Sequence, residues 1–244
     1  MAGGKTFTII LPTYNEEENI EKMVVSLKEM YPDFHILIMD DGSTDRTKEI
    51  VDSLNYENVR FVVRDSEVKG VTASVSDGII LSGTDLFMCM DSDFQHPIEA
   101  AGRIYHELSK DLDLVIGVRV DRWALGFKRS MGSWMFHILA SSVLFVHGKK
   151  GSKDIASGLF GGDVELFSSV INEHGNDFEM RGFKLLFDFM KHAPSDIKIG
   201  EIKYEFGKRQ GGKSKVNPKI VYLSFHQCGI VGRFFARIYK AMFS

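Results

Sequence analysis

Only two of the 244 residues are cysteines, Cys89 and Cys228. That is too few for a disulfide framework and points to a reducing compartment. Cys89 stands in an apolar run and reads as a small buried hydrophobe. No stretch reaches the ~18 uninterrupted apolar residues of a membrane span. The opening run, MAGGKTFTIILP, enters a strand pattern with no signal-peptide signature. The expectation is therefore a soluble or peripheral protein. The formal net charge is only -3, so bulk charge gives no reason to expect nucleic acid. Internal repeats and low-complexity linkers are absent. So is a Gly-x-Gly-x-x-Gly after the first apolar run, where Pro12-Thr13-Tyr14-Asn15-Glu16 stands instead. That argues against a nicotinamide dehydrogenase.

What is present is a regular alternation of short apolar runs and amphipathic stretches. Strands are expected over residues 7–11, 35–39, 59–63, 86–90, 114–118 and 197–206. Helices are expected over 17–30, 43–54, 72–82, 97–109, 130–146, 179–192 and 219–243. Continuous apolar strands between helices indicate a doubly wound, mostly parallel α/β sheet. Residues 154–162 read as a Gly-rich loop or strand, and 207–218 as a basic, Gly-containing loop. Charge is uneven: residues 198–219 hold seven basic residues against two acidic ones, and 233–240 hold no acid. Such clusters suit phosphates or anionic lipid heads, or else are merely a solvated surface.

The acids are placed informatively. Asp40 and Asp41 follow one apolar strand, and Asp91 and Asp93 follow another. In open α/β sheets ligands bind beyond the carboxyl ends of the strands. An Asp after a strand is also an ordinary turn former or helix cap, and Asp45 fits that reading. For Asp91-Ser92-Asp93 a cation role is favoured, because Gln95 adds a third oxygen at the next alternate position. Hard oxygen ligands suit Mg²⁺ or Mn²⁺. His96 reads equally as a structural residue before Pro97. Asp154 and Glu179 read as a solvated face, with the acceptor side as the alternative.

The motifs Pro12-Thr13-Tyr14-Asn15-Glu16, Asp40-Asp41-Gly42-Ser43-Thr44-Asp45 and Asp91-Ser92-Asp93-Phe94-Gln95-His96-Pro97 follow successive strands. Together they resemble the signatures of family 2 glycosyltransferases of the GT-A fold. Further on come Val115 to Arg119, Lys128-Arg129, Ser157-Gly158 and the run from Arg209 to Lys215. These resemble the dolichol-phosphate mannose synthases and related polyprenol-phosphate glycosyltransferases.

The resemblance implies a catalytic domain over residues 1–218 and a C-terminal helical segment over 219–244 at the membrane surface. It implies inverting transfer of mannose from GDP-mannose to dolichyl or polyprenyl phosphate, with a UDP-sugar such as UDP-glucose as the alternative donor. Pro12, Tyr14 and Glu16 would line the nucleotide pocket, with Asp41 near the base or ribose. Asp91, Asp93 and Gln95 would hold Mg²⁺ or Mn²⁺ against the diphosphate. Arg119 and Arg129 would bind the lipid phosphate. Arg209 and Lys215 would close over the donor phosphates or the transferred sugar. The implied place is the cytoplasmic face of a membrane, the endoplasmic reticulum in a eukaryote or the cell membrane in a prokaryote. A membrane-anchoring subunit is an expected partner class, and nucleic acid is not. Trp134, Met135, Phe136, Ile138 and Leu139 would lie in the membrane interface, against the plainer reading of core packing. A non-catalytic nucleotide-sugar sensor would have lost the carboxylates or the arginines, and both sets are intact.

Overall fold

The computed structural model describes residues 4–121, 127–207, 209, 211, 224–229 and 232; side chains are not described for 127–132. The expected helix over 219–243, the domain boundary at 218, most of the basic loop and Lys215 lie outside the described residues. For Arg129 only the backbone is described.

Seven strands form one sheet: β1 (Phe7–Thr13), β2 (His35–Asp40), β3 (Val59–Val63), β4 (Leu86–Cys89), β5 (Leu114–Arg119), β6 (Phe160–Asp163) and β7 (Ile199–Tyr204). Their order is β3-β2-β1-β4-β6-β5-β7. All pairs are parallel except those that β6 makes with β4 and β5. The carboxyl ends of β1, β2, β4, β5 and β7 therefore share one edge, and the chain enters β6 there. Gly161 lets β6 insert, because a Cβ at that position would lie 2.5 Å from the Phe87 carbonyl oxygen.

The strands read as continuous apolar runs because both faces are covered. One face carries α1 (Ile20–Met30), α2 (Thr47–Leu54) and α4 (Glu99–Leu108), packed on Ile9, Leu11, Ile36 and Ile38. The other carries α3 (Val71–Leu81), α5 (Phe127–Val146), α6 (Val164–His174) and α7 (Leu185–His192), packed on Ile10, Leu37, Met39 and Phe87. Each fully buried Leu, Ile or Phe stabilises the fold by about 1.5–3 kcal/mol. Cys89 and Cys228 are both buried free thiols.

Several expected elements shift, each for a local reason. α1 starts at Ile20 and not at residue 17, because the Glu17 N–H donates to Asp45 Oδ2 and the Glu17 carboxylate accepts the Arg46 N–H. α2 starts at Thr47 and not at 43, because Asp40 Oδ2 holds the N–H groups of Gly42 and Ser43 in a turn. Asp45 does act as a cap-like acceptor, taking the Thr47 N–H at 3.0 Å. Only the second half of the expected 179–192 helix forms, as α7. The first half makes turns whose Met180 and Gly182 carbonyls accept the Ala73 and Thr72 N–H groups at the start of α3. α6 was not expected. Asp163 caps it, accepting the Leu166 N–H at 2.9 Å.

α5 divides its apolar residues. Phe136, Ala140 and Leu144 are buried in the core, and Met135 and Leu139 pack partly against it. Trp134, Ile138, Phe145 and Val146 are exposed. Core packing thus claims part of the group expected at a membrane. Among the described residues, no helix is long and apolar enough to cross a membrane.

Candidate active site

The turns after β1 and β2 are bolted together. The Asp41 N–H donates to the Thr13 carbonyl at 2.9 Å, the Asn15 N–H to Ser43 Oγ at 2.7 Å, and the Thr44 N–H to Asn15 Oδ1 at 2.8 Å. Pro12 is half-buried at the end of β1, Tyr14 is exposed beside it, and Glu16 is buried. Glu16 Oε2 accepts the Asn19 side-chain amide at 2.9 Å. Asp41 is held on both sides: Arg64 pairs with Oδ1, and the Gly70 N–H donates to Oδ2 at 2.9 Å. Arg64, itself buried, also donates from Nε to Asp77 Oδ2 at 2.8 Å. Asp41 is thus a largely shielded carboxylate already fixed by two protein donors.

After β4 the chain turns sharply. The Gln95 N–H donates to Asp93 Oδ1 at 2.9 Å, and Phe94 between them has φ of 63°. A bulky residue in the left-handed region is strained by about 1–3 kcal/mol, and such strain gathers at functional loops. His96 is 1% exposed, and its Nδ1 accepts the Asp91 N–H at 3.0 Å. Burial pushes the imidazole pKa down to about 4. His96 is therefore a neutral acceptor that orients Asp91.

The Asp91 side chain keeps 44% of its surface accessible. It still lies deep enough that loss of surrounding water raises its pKa to about 6, opposed by Arg209 and Lys184. Asp93 is raised as well, by burial first and by the Asp91 charge second. Asp93 Oδ2 is shut from solvent and accepts no hydrogen bond, while Arg209 Nη2 lies 2.6 Å away as an ion pair. Arg209 Nη1 reaches within 3.9 Å of Glu16 Oε1. The Gln95 side-chain amide meets the Gly207 carbonyl at 3.5 Å, and the Gly207 N–H returns a bond to Gln95 O. Gly207 is required there, since a Cβ would lie 2.8 Å from the Phe94 carbonyl oxygen. Two mutually repelling carboxylates, one of whose buried oxygens is met only by the Arg209 guanidinium, fit a hard divalent cation that takes that place. Gln95 stands beside them as a further oxygen donor.

Two cations, each already partnered by the protein, stand near these carboxylates. Arg119, at the end of β5, donates from Nε and Nη2 to the two oxygens of Asp154 at 2.8 and 2.9 Å. Asp154 is 1% exposed, so the solvated face expected from sequence is not found. Lys184, just before α7, donates to the Ala156 carbonyl at 2.7 Å and lies over the Phe183 ring at 4.1 Å. Burial, and then the Arg119 charge, lower its pKa to about 7, with Asp154 and Asp91 pulling back. The Ala156-Ser157-Gly158 turn runs from Lys184 to Asp91: a Cβ on Gly158 would sit 4.0 Å from Asp91 Oδ2. Sequence reasoning missed Lys184 and Arg64. The available signal for Lys184 was a lone cation between Phe183 and a run of apolar residues.

The site residues expected from sequence therefore assemble at one edge of the sheet, as far as they are described. The family Glycosyl transferase family 2 matches residues 8–170. The dolichol-phosphate mannosyltransferase of Pyrococcus furiosus is 29% identical over 224 residues, which is 88% of this chain and 60% of that protein. The chain thus spans less than two thirds of that relative's length. The dolichol-phosphate mannosyltransferase of Saccharomyces cerevisiae is 27% identical, covering 88% of this chain and 82% of that protein. Among solved structures, glucosyl-3-phosphoglycerate synthase from Mycobacterium tuberculosis, in complex with Mn²⁺, UDP and glucosyl-3-phosphoglycerate, superposes with a TM-score of 0.60. It is 16% identical and covers 93% of this chain and 81% of that one. That likeness is one of fold, the GT-A fold.

Proposed function

Since the chain belongs to glycosyl transferase family 2, we propose that it is an inverting, divalent-metal-dependent transferase moving mannose from GDP-mannose to dolichyl or another polyprenyl phosphate. The observation that carries this reading is that the carboxylates Asp91 and Asp93 stand within reach of the charge of Lys184, which in turn feels Arg119. A carboxylate pair suits a cation that meets a nucleoside diphosphate, and nearby cations suit an acceptor that is itself an anion.

In this reading Pro12, Tyr14, Glu16 and Asp41 line the nucleotide pocket. Asp91, Asp93 and Gln95 would hold Mg²⁺ or Mn²⁺, which would supply Lewis-acid stabilisation of the diphosphate leaving group. Arg119, Arg129 and Lys184 bind the acceptor phosphate, Arg119 through its remaining N–H groups, since Nε and Nη2 already hold Asp154. Arg209 and Lys215 act on the donor phosphates or the sugar in flight. A phosphate monoester, with a second pKa of about 6, is already anionic at neutral pH. No general base is then needed, and positioning with electrostatics supplies the rate. In-line attack at the anomeric carbon breaks its bond to the diphosphate and inverts its configuration.

The exposed face of α5, with Trp134, Ile138 and Phe145, is the proposed contact with the membrane interface. The enzyme would work peripherally at a cytoplasmic membrane face, with or without an anchoring subunit. The test is a donor panel. Purified protein, one polyprenyl phosphate and Mn²⁺ are incubated with GDP-mannose, UDP-glucose and UDP-N-acetylglucosamine in parallel. GDP-mannose is expected to give the highest kcat/KM. A higher value for a UDP-sugar would overturn the mannosyl assignment.

A further inference from the structure

Away from the cleft, α6 and α7 bring three metal-ligating side chains together. His174 ends α6, Asp177 ends the 3-10 turn that follows it, and His192 ends α7. One ligand atom from each lies within 4.8 Å of the other two. The two imidazoles stack with centroids 4.4 Å apart and planes at 22°.

We propose that His174, Asp177 and His192 form a second metal site, for Zn²⁺, which clasps the C-terminal ends of α6 and α7. Two imidazole nitrogens and one carboxylate oxygen are the donor set that borderline Zn²⁺ takes, with room for water as a fourth ligand. Zinc ligands at about 2.0–2.1 Å stand about 3.4 Å apart in a tetrahedron, so on binding the two rings would turn out of their stack to aim their nitrogens at one ion. The donors are also uncommitted. Among the described residues no hydrogen bond engages the His192 ring or the Asp177 carboxylate. The nearest acid to His174 Nε2 is Glu173 at 3.6 Å.

Charge and support agree with the geometry. Burial, and then the facing His174, lower the His192 pKa, which keeps its lone pair available at neutral pH. Lys191, the neighbouring cation, is held by Asp188 at 2.7 Å and does not compete for Asp177. Lys149 ties the same corner by donating to the Ala193 carbonyl at 2.7 Å. His192 stands eight residues along α7 from Lys184, about 12 Å at 1.5 Å per residue. Unlike the oxygen set at Asp91 and Asp93, this set is nitrogen-rich, so the two should separate by metal preference.

The experiment titrates the full chain with Zn²⁺ by calorimetry in excess Mg²⁺, which occupies the oxygen-donor set. One equivalent of Zn²⁺ should bind and raise the thermal midpoint. Co²⁺ in its place should give the visible absorption of a tetrahedral site. His192→Ala should weaken uptake by about a hundredfold, and Asp177→Asn by about tenfold, and both should lose the thermal shift. If His192→Ala does not fold, His174→Gln, at a partly exposed position, gives the same readout. Absence of Zn²⁺ binding in excess Mg²⁺, or uptake unchanged in His174→Gln, would overturn the proposal. So would uptake lost only in Asp91→Asn.

Discussion

Arg209 Nη2 lies 2.6 Å from Asp93 Oδ2, joining the segment after β7 to the loop after β4. A guanidinium and a divalent cation at this carboxylate would compete for one oxygen. Removing the competitor, worth about 1 kcal/mol for a partly exposed pair, should tighten Mn²⁺ binding by about fivefold in Arg209→Ala. Turnover should nevertheless fall, because the same cation is proposed to act on the phosphates in the transition state. Calorimetry with Mn²⁺ and steady-state kinetics read the two effects separately. Weaker Mn²⁺ binding together with wild-type kcat would contradict both parts.

The carboxylate pair itself gives a simpler expectation. Excess EDTA should abolish transfer, and Asp91→Ala and Asp93→Ala should lose activity while keeping the circular dichroism of the native fold. Full activity in EDTA would remove the metal from the account.

Lys184 carries a pH dependence whose sign follows from its environment. Its pKa is lowered to about 7 by burial and by Arg119. In the free enzyme the cation is therefore present below pH 7 and lost above it. Acceptor KM should rise by about tenfold per pH unit above 7, as for any single group that binds only when protonated. Lys184→Arg, charged throughout, should flatten that rise. An identical profile in the arginine variant would place the titration elsewhere.

The Arg119–Asp154 pair is a matter of stability as well as binding. Both partners are shielded, with side chains 9% and 1% exposed. Deleting one partner of a buried pair leaves an uncompensated charge and costs about 3–5 kcal/mol. Asp154→Ala should lower the unfolding free energy by that order in urea denaturation. Arg119→Lys should bind acceptor poorly, because a single ammonium cannot hold Asp154 as the fork does and still reach the phosphate. Wild-type stability of Asp154→Ala would show that the pair is effectively solvated.

Much of this arrangement is legible in the sequence because it is local. Apolar runs buried on both faces read as parallel strands, and Asp41, Asp91 and Asp93 mark their carboxyl ends. What is not legible depends on distant partners. Nothing near residue 179 announces that the Met180 and Gly182 carbonyls serve the start of α3, more than a hundred residues back. Nothing near Asp154 announces Arg119, so an acid that looks solvated is in fact buried. Lys184 was hidden in an apolar helical pattern, and its role depends on Ala156 and Asp91.

The acceptor is the point on which the whole account turns. The chain, GDP-mannose carrying labelled mannose, and Mn²⁺ are incubated with dolichyl phosphate or with dolichol, and label is counted in the organic phase. The account expects labelled lipid with dolichyl phosphate, none with dolichol, and loss of label in the Asp91→Ala variant. Equal labelling of the free alcohol, or no lipid product from either acceptor, would contradict it.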